Sequence, residues 1–515
     1  MTDDAMTDDA PERADAPDLT LAIVQPDAYA LLDSREAGGT ALRGGMLRTA
    51  GFAGGLLIGL VSAPLVVRHL GDAEFGRYSA VLAVIAIVTG LTEGGVNTVA
   101  LRELASARGQ RERDRVMRDL LGLRIVLSAV GVAVAVGFSA LAGYGGSLVL
   151  GTLLGGLGML LSVTQTLLAA ELQARLRFGL ASAIDLGRAL LTMLMIIALV
   201  LADAQVLAFL AILVPAGLLS LLATSWLVRK TTQLRPAFHP RRWMPLMRQT
   251  VVFAVAVAVN SLYFRVTLVV MSVMATPQET GHFAISFRVM EVLVGIPFIL
   301  TAAAFPIISR SVRDDRERFE FATGRLFELC ALLGVLTSMS LALAAPFIIQ
   351  VLVGTAENPA TDILRIQAIA MIASFIASGT GYPLLGLRRH REALVANILS
   401  LVVVVVLALV LVPPLGGEGG ALAAVIADFT LASVATAMLV RRGGPSLPFG
   451  VIPVALTAGA AGFIAGFLVG IHPLVQTAVG VVVFLATLTV LGRFPPEVRE
   501  TLGRRRPAQP VNATQ

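Results

Sequence analysis

Three charged side chains sit where the sequence is otherwise apolar. Residues 249–310 read as two hydrophobic helices joined by the polar turn Thr276-Pro277-Gln278-Glu279-Thr280-Gly281. The first arm carries Arg265, and the second carries Arg288 and Glu291. About 20 apolar residues span a ~30 Å hydrocarbon core, so each arm is long enough to cross a bilayer. A charge at such depth costs at least ~2.5–3.5 kcal/mol on insertion scales and marks a functional site by default. At ~1.5 Å rise per residue all three lie roughly 10–15 Å below the turn. Ala284, Arg288, Glu291 and Gly295 share one helical face, as do Ser261, Arg265 and Ser272 on the other arm. Two polar stripes on antiparallel neighbours would line a water-filled cavity. The simpler alternative is that Arg288 and Glu291 neutralise each other while Arg265 snorkels to the surface.

Other in-membrane polar residues have two readings each. Glu291 is either a coupling carboxylate, protonated in one state, or half of a static pair. Glu93 lies in line with Thr89 and Asn97 and is a gating candidate or an interfacial residue. Asp428, inside an apolar run, suits coupling or a structural hydrogen bond equally. Arg68 and Arg77 flank a loop and read as contacts to lipid headgroups or to cargo at the mouth of the cavity.

The elements that position these residues follow from composition. Of the 515 residues 56% are hydrophobic and 14% charged, and the mean hydropathy is +0.82. A soluble chain carries roughly 25% charged residues. The class is therefore an all-α polytopic membrane protein. One cysteine, Cys330, and five scattered histidines exclude a disulfide framework and give no metal-ligand spacing, so no metal or other cofactor is expected. The first forty-odd residues are acidic and repeat Met-Thr-Asp-Asp-Ala. They lack a secretory signal's basic start and read as a disordered tail.

Apolar segments recur at 44–68, 78–98, 119–142, 147–170, 180–201, 205–228, 249–275, 282–308, 325–353, 363–387, 392–412, 419–440, 449–471 and 474–492. That makes about 14 crossings. Arginines crowd alternate loops, for example Arg108, Arg111, Arg113 and Arg115, then Arg241 and Arg242, then Arg388, Arg389 and Arg391. The intervening loops hold no Lys or Arg, apart from the first, which contains Arg77. The positive-inside rule puts both termini in the cytoplasm. The loop arginines act as topology signals and anionic-lipid contacts, not as a nucleic-acid site.

An internal repeat is visible: Phe75-Gly76-Arg77-Tyr78 opens the second segment and Thr280-Gly281-His282-Phe283 the eighth. It implies two parallel six-helix halves. No phosphate-binding loop of the G-x-x-x-x-G-K-[ST] type occurs, and no loop is long enough for a catalytic domain, so an enzyme is not expected.

The first helical pair runs through Gly51, Gly55 and Gly59 to Pro64-Leu65-Val66-Val67-Arg68-His69-Leu70-Gly71, then Phe75-Gly76-Arg77-Tyr78, Gly94-Gly95 and Arg102-Glu103-Leu104-Ala105. It resembles the opening of oligosaccharide-lipid flippases in the multidrug/oligosaccharidyl-lipid/polysaccharide (MOP) exporter superfamily. Gln165 to Phe178 and Pro413 to Ala423 resemble later junctions of that family. The resemblance implies two six-helix lobes in a V around a central cavity, plus a C-terminal helix pair. The plan becomes an acidic cytoplasmic tail 1–43, lobes 44–230 and 249–442 with a cytoplasmic linker 231–248, a helix pair 449–492 and a basic cytoplasmic tail 493–515. The implied cargo is a polyprenyl-pyrophosphate-linked oligosaccharide moved to the outer leaflet of a bacterial plasma membrane, with membrane lipids and polysaccharide polymerases or glycosyltransferases as partners. On that reading Arg265 and Arg288 cradle the pyrophosphate, because a planar guanidinium makes bidentate bonds to phosphate oxygens. Alternatives are a lipid II flippase, a multidrug cation antiporter on the same fold, and a non-transporting partner of a polysaccharide synthase.

Overall fold

The computed structural model describes residues 35–493 apart from 94, 108, 176, 442 and 443, and every regular element among them is a helix. Most of the two expected tails lies outside the described residues. Helix α1 is Arg35–Glu93, α2 Val96–Ser106, α3 Gln110–Leu141, α4 Gly146–Ala174 and α5 Phe178–Leu201. Next come α6 Val206–Ala211, α7 Leu213–Val228, α8 Pro240–Met274, α9 Pro277–Leu293 and α10 Gly295–Asp314. Helices α11 Arg316–Val353, α12 Ala360–Gly386, α13 His390–Val440, α14 Val451–Val469 and α15 Pro473–Val490 complete the chain.

Among the described residues 12 helical spans are long and apolar enough to cross a membrane. Two of these spans, in α1 and α13, each hold two of the expected segments. Segments 44–68 and 78–98 run together in α1, and 392–412 and 419–440 in α13. Both long helices are interrupted by a glycine outside helical geometry, Gly71 (φ 70, ψ 173) and Gly416 (φ 53, ψ −129). Positive φ costs glycine nothing, which is why the sharp bends fall there. Hydropathy marks only the apolar middle of each helix, so α1 begins at Arg35 and α8 at Pro240, earlier than the apolar runs suggest.

Two apolar segments are broken in the same way. The gap between α6 and α7 falls at Ile212, three residues before Pro215, and that between α9 and α10 at Val294, three before Pro297. Each proline lacks the N–H that would bond back to Ala211 or Leu293, so the ladder is interrupted.

Packing is tightest where glycines line helix faces. On α4, Cβ atoms on Gly155, Gly156 and Gly158 would strike Ile85, Val132 and the Leu213 backbone. This is the close helix approach that small residues permit in membranes. The pair α14 and α15 packs on α11, with Gly459 against Val335, Gly462 against Met339 and Gly466 against Leu343. One apolar cluster joins the two halves of the chain, bringing Val66, Val67 and Phe75 of α1 to Met271, Phe283, Ile349, Ile363 and Val412.

Candidate functional site

The polar turn 276–281 becomes a helix start for local reasons. Thr276 accepts from the Glu279 N–H at 3.3 Å while the Glu279 carboxylate accepts from the Thr276 N–H at 2.9 Å, with Pro277 in the first turn. This reciprocal cap and the preset proline φ begin α9 and hold it antiparallel to α8.

Arg265 of α8 and Arg288 and Glu291 of α9 meet. One Glu291 oxygen accepts from Arg265, and the other accepts from Arg288 Nη1 at 2.7 Å. Arg288 also reaches α1, since a Cβ on Gly59 would stand 3.7 Å from its Nη2. The Arg265 guanidinium lies 5.5 Å from the centre of the Phe287 ring, within cation–π range. The three side chains keep between a quarter and a half of their surface exposed. The arrangement is a triad of net charge +1 in which one carboxylate neutralises part of two guanidiniums. Each guanidinium carries five N–H donors, more than a shared carboxylate can take up.

The other predicted residues are distributed around this triad. Ser261 packs against Gly90 of α1, so tightly that a Cβ there would overlap its hydroxyl. Ser272 hydrogen-bonds the Tyr144 hydroxyl at 2.6 Å and thus ties α8 to the α3–α4 turn. Asp428 of α13 accepts from the Tyr263 hydroxyl of α8 and, at 3.5 Å, from Ser374 of α12. Glu93 accepts from Asn97 Nδ2 at 2.7 Å and stands 3.9 Å from Arg124. Arg68 donates to the carbonyls of Val351 at 2.7 Å and Gln350 at 3.2 Å, capping the C-terminus of α11. Arg77 pairs with Glu74 at the rim of a cavity of about 360 Å³ that Tyr144, Ser272 and Thr280 also line.

At the end of the bundle that carries the 276–281 turn, the two repeat motifs touch. A Cβ on Gly76 would strike the Pro277 carbonyl and stand 2.7 Å from the Gly281 nitrogen, while one on Gly281 would strike the Asp72 carbonyl. Beside them His282 Nε2 and Asn358 Nδ2 converge on Asp72 Oδ2 at 3.0 and 2.9 Å. This latch joins α1, α9 and the loop before α12.

Sequence reasoning missed Tyr263, Ser374, Asp72, Asn358 and Arg124. Arg124 carried the same signal as Arg265, a guanidinium inside an apolar run. Tyr263 and Asn358 are ordinary residues whose partners lie far away in sequence. Among the described residues no cluster of His, Cys, Asp and Glu has metal-ligand geometry.

Long apolar helices in this arrangement define a multi-pass membrane protein, and its fold is that of the MOP superfamily. A solved structure titled as the lipid II flippase MurJ in an inward closed conformation matches with a TM-score of 0.72 at 13% identity, covering 87% of this chain and 99% of the other. An inward-facing multidrug resistance MATE family transporter of the MOP superfamily matches at 0.63 and 14% identity, over 75% of this chain and 93% of the other. A MOP superfamily transporter from Pyrococcus furiosus matches at 0.56 and 16% identity, over 80% of this chain and 97% of that one. The chain belongs to the polysaccharide biosynthesis protein family, whose model matches residues 42–312. No curated protein matches the chain in sequence.

Proposed function

We propose that the protein is a flippase that moves a polyprenyl-pyrophosphate-linked oligosaccharide across the plasma membrane by alternating access. The observation that carries this reading is the Arg265–Glu291–Arg288 triad, a net positive site part-way down two membrane helices and facing α1. A pyrophosphate, with more charge and more acceptor oxygens than one carboxylate, displaces Glu291 from the two guanidinium forks. Glu291 retakes them when the cargo leaves, which keeps the empty site from holding two unmatched charges. Transport needs no bond-making by the protein, so it acts as a transporter and not as an enzyme.

With the arginine-rich loops and both termini in the cytoplasm, the latch at Asp72, His282 and Asn358 closes the outer side. Residues 44–230 and 249–442 then move as two lobes joined by 231–248, with 449–492 as an accessory pair. Asp428, held by Tyr263, is the coupling candidate of the second lobe, and Arg77 with its cavity meets the cargo as it leaves. Polysaccharide polymerases or glycosyltransferases supply and consume such a cargo and are the expected partners.

A lipid II flippase is the second reading, favoured by the similarity to the solved flippase of that name. A drug-cation antiporter fits less well, because a net positive triad repels cations. The test is translocation by purified protein in proteoliposomes, using a labelled polyprenyl-pyrophosphate sugar, lipid II and an organic cation in parallel. Movement of either lipid-linked sugar supports the flippase reading and chooses its cargo. Movement of the cation alone, or of none, would overturn it in favour of the antiporter or the non-transporting partner.

A further inference from the structure

Arg124 lies in the apolar part of α3 and its side chain has no exposed surface. An arginine keeps its proton inside proteins, so a buried one must be matched by acceptors. Its Nη1 donates to the Thr92 carbonyl at 3.0 Å, in the last turn of α1. Its Nε and Nη2 have no hydrogen-bond partner among the described residues. That is the edge whose two parallel N–H groups fit a carboxylate.

A carboxylate is close by and turned elsewhere. Glu93 Oε1 stands 3.9 Å from Arg124 Nη2, too far for a hydrogen bond, because Asn97 Nδ2 holds it at 2.7 Å. The Glu93 side chain is 38% exposed there. It sits one turn after Gly90, whose backbone abuts Ser261 of α8, and so borders the seam between α1 and α8. Helix α1 ends at Glu93, and Gly95 with φ 79 separates it from α2, so the carboxylate is at a chain break and not locked in a helix interior.

We propose that Glu93 has two seats: the exposed one on Asn97 seen here, and a buried bidentate one on the Nε and Nη2 edge of Arg124. Arg124 is then a positioning residue for transport, an assignment that rests on the flippase reading. Moving Glu93 onto Arg124 withdraws a negative charge from the seam beside α8, which favours entry of an anionic cargo. Its return to Asn97 restores that charge and favours release.

The test is labelling of Glu93 by a hydrophobic carbodiimide, read by mass spectrometry on the intact purified protein. Arg124→Gln removes the buried seat and is expected to raise labelling severalfold. Asn97→Ala removes the exposed seat and is expected to lower it. Arg124→Lys keeps the charge without the fork and should fall between wild type and Arg124→Gln. Labelling unchanged in both Arg124→Gln and Asn97→Ala, or shifted the same way in both, would overturn the proposal. If Arg124→Gln does not accumulate as folded protein, the Asn97→Ala arm decides alone. Opposite shifts in a protein that moves no lipid-linked sugar would keep the two seats and overturn only the flippase reading.

Discussion

Gly76 lies against Gly281 so closely that a Cβ on Gly76 would stand 2.7 Å from the Gly281 nitrogen. The contact brings the openings of two repeated hairpins together, and it closes one end of the seam between the halves of the chain. Gly281→Ala forces that backbone apart and is expected to favour a state open at this end. A cysteine at Ala284, buried one turn below, would report it in a background lacking Cys330. Its reaction with a water-soluble maleimide should speed up in Gly281→Ala, and an unchanged rate would contradict the closure.

The Asp72 latch is expected to be cooperative. Asp72→Ala removes the acceptor shared by His282 and Asn358. In a double-mutant cycle with His282→Ala, thermal stability in detergent should show a coupling of about 0.5–3 kcal/mol. Strictly additive losses would mean that the two side chains do not act together.

Tyr263 should matter more to stability than Ser374. Removing one partner of a buried hydrogen bond costs ~1–3 kcal/mol, and the hydroxyl of Tyr263 makes such a bond with Asp428. Ser374 reaches the same carboxylate only at 3.5 Å, a weak geometry. Tyr263→Phe is therefore expected to lower the melting temperature of the purified protein clearly more than Ser374→Ala. The reverse order would reassign the main partner of Asp428.

Much of this was readable from residue order, and the failures have a common cause. Arg265, Arg288 and Glu291 stood out because a charge inside an apolar run is costly whatever surrounds it, and their helical spacing put two of them on one face. The repeat motifs at Gly76 and Gly281 were also legible, but their mutual contact was not, since nothing local says which hairpin opening meets which. Asp72 with Asn358, and Asp428 with Tyr263, depend in the same way on pairings across the fold. Among the described residues the helical spans number 12 against fourteen apolar segments, because two of those spans, interrupted at Gly71 and Gly416, each hold a pair of segments. Arg68, read as a contact to lipid headgroups or to cargo, also donates to carbonyls at the end of α11, a long-range pairing that residue order does not reveal.

Glu291→Gln separates binding from release. The neutral amide competes less well for the guanidiniums, so affinity for a polyprenyl-pyrophosphate analogue should rise. Translocation should fall, because nothing charged recaptures Arg265 and Arg288 when cargo departs. Weaker binding by Glu291→Gln would show that the carboxylate helps to hold the cargo instead.

The most direct measurement is translocation of a labelled polyprenyl-pyrophosphate sugar by wild type, Arg265→Ala and Arg288→Ala reconstituted at equal density. Each substitution is expected to reduce the rate at least tenfold, about 1.4 kcal/mol, with folded protein recovered in normal yield. Wild-type rates in both variants would contradict an anion site built on these two arginines.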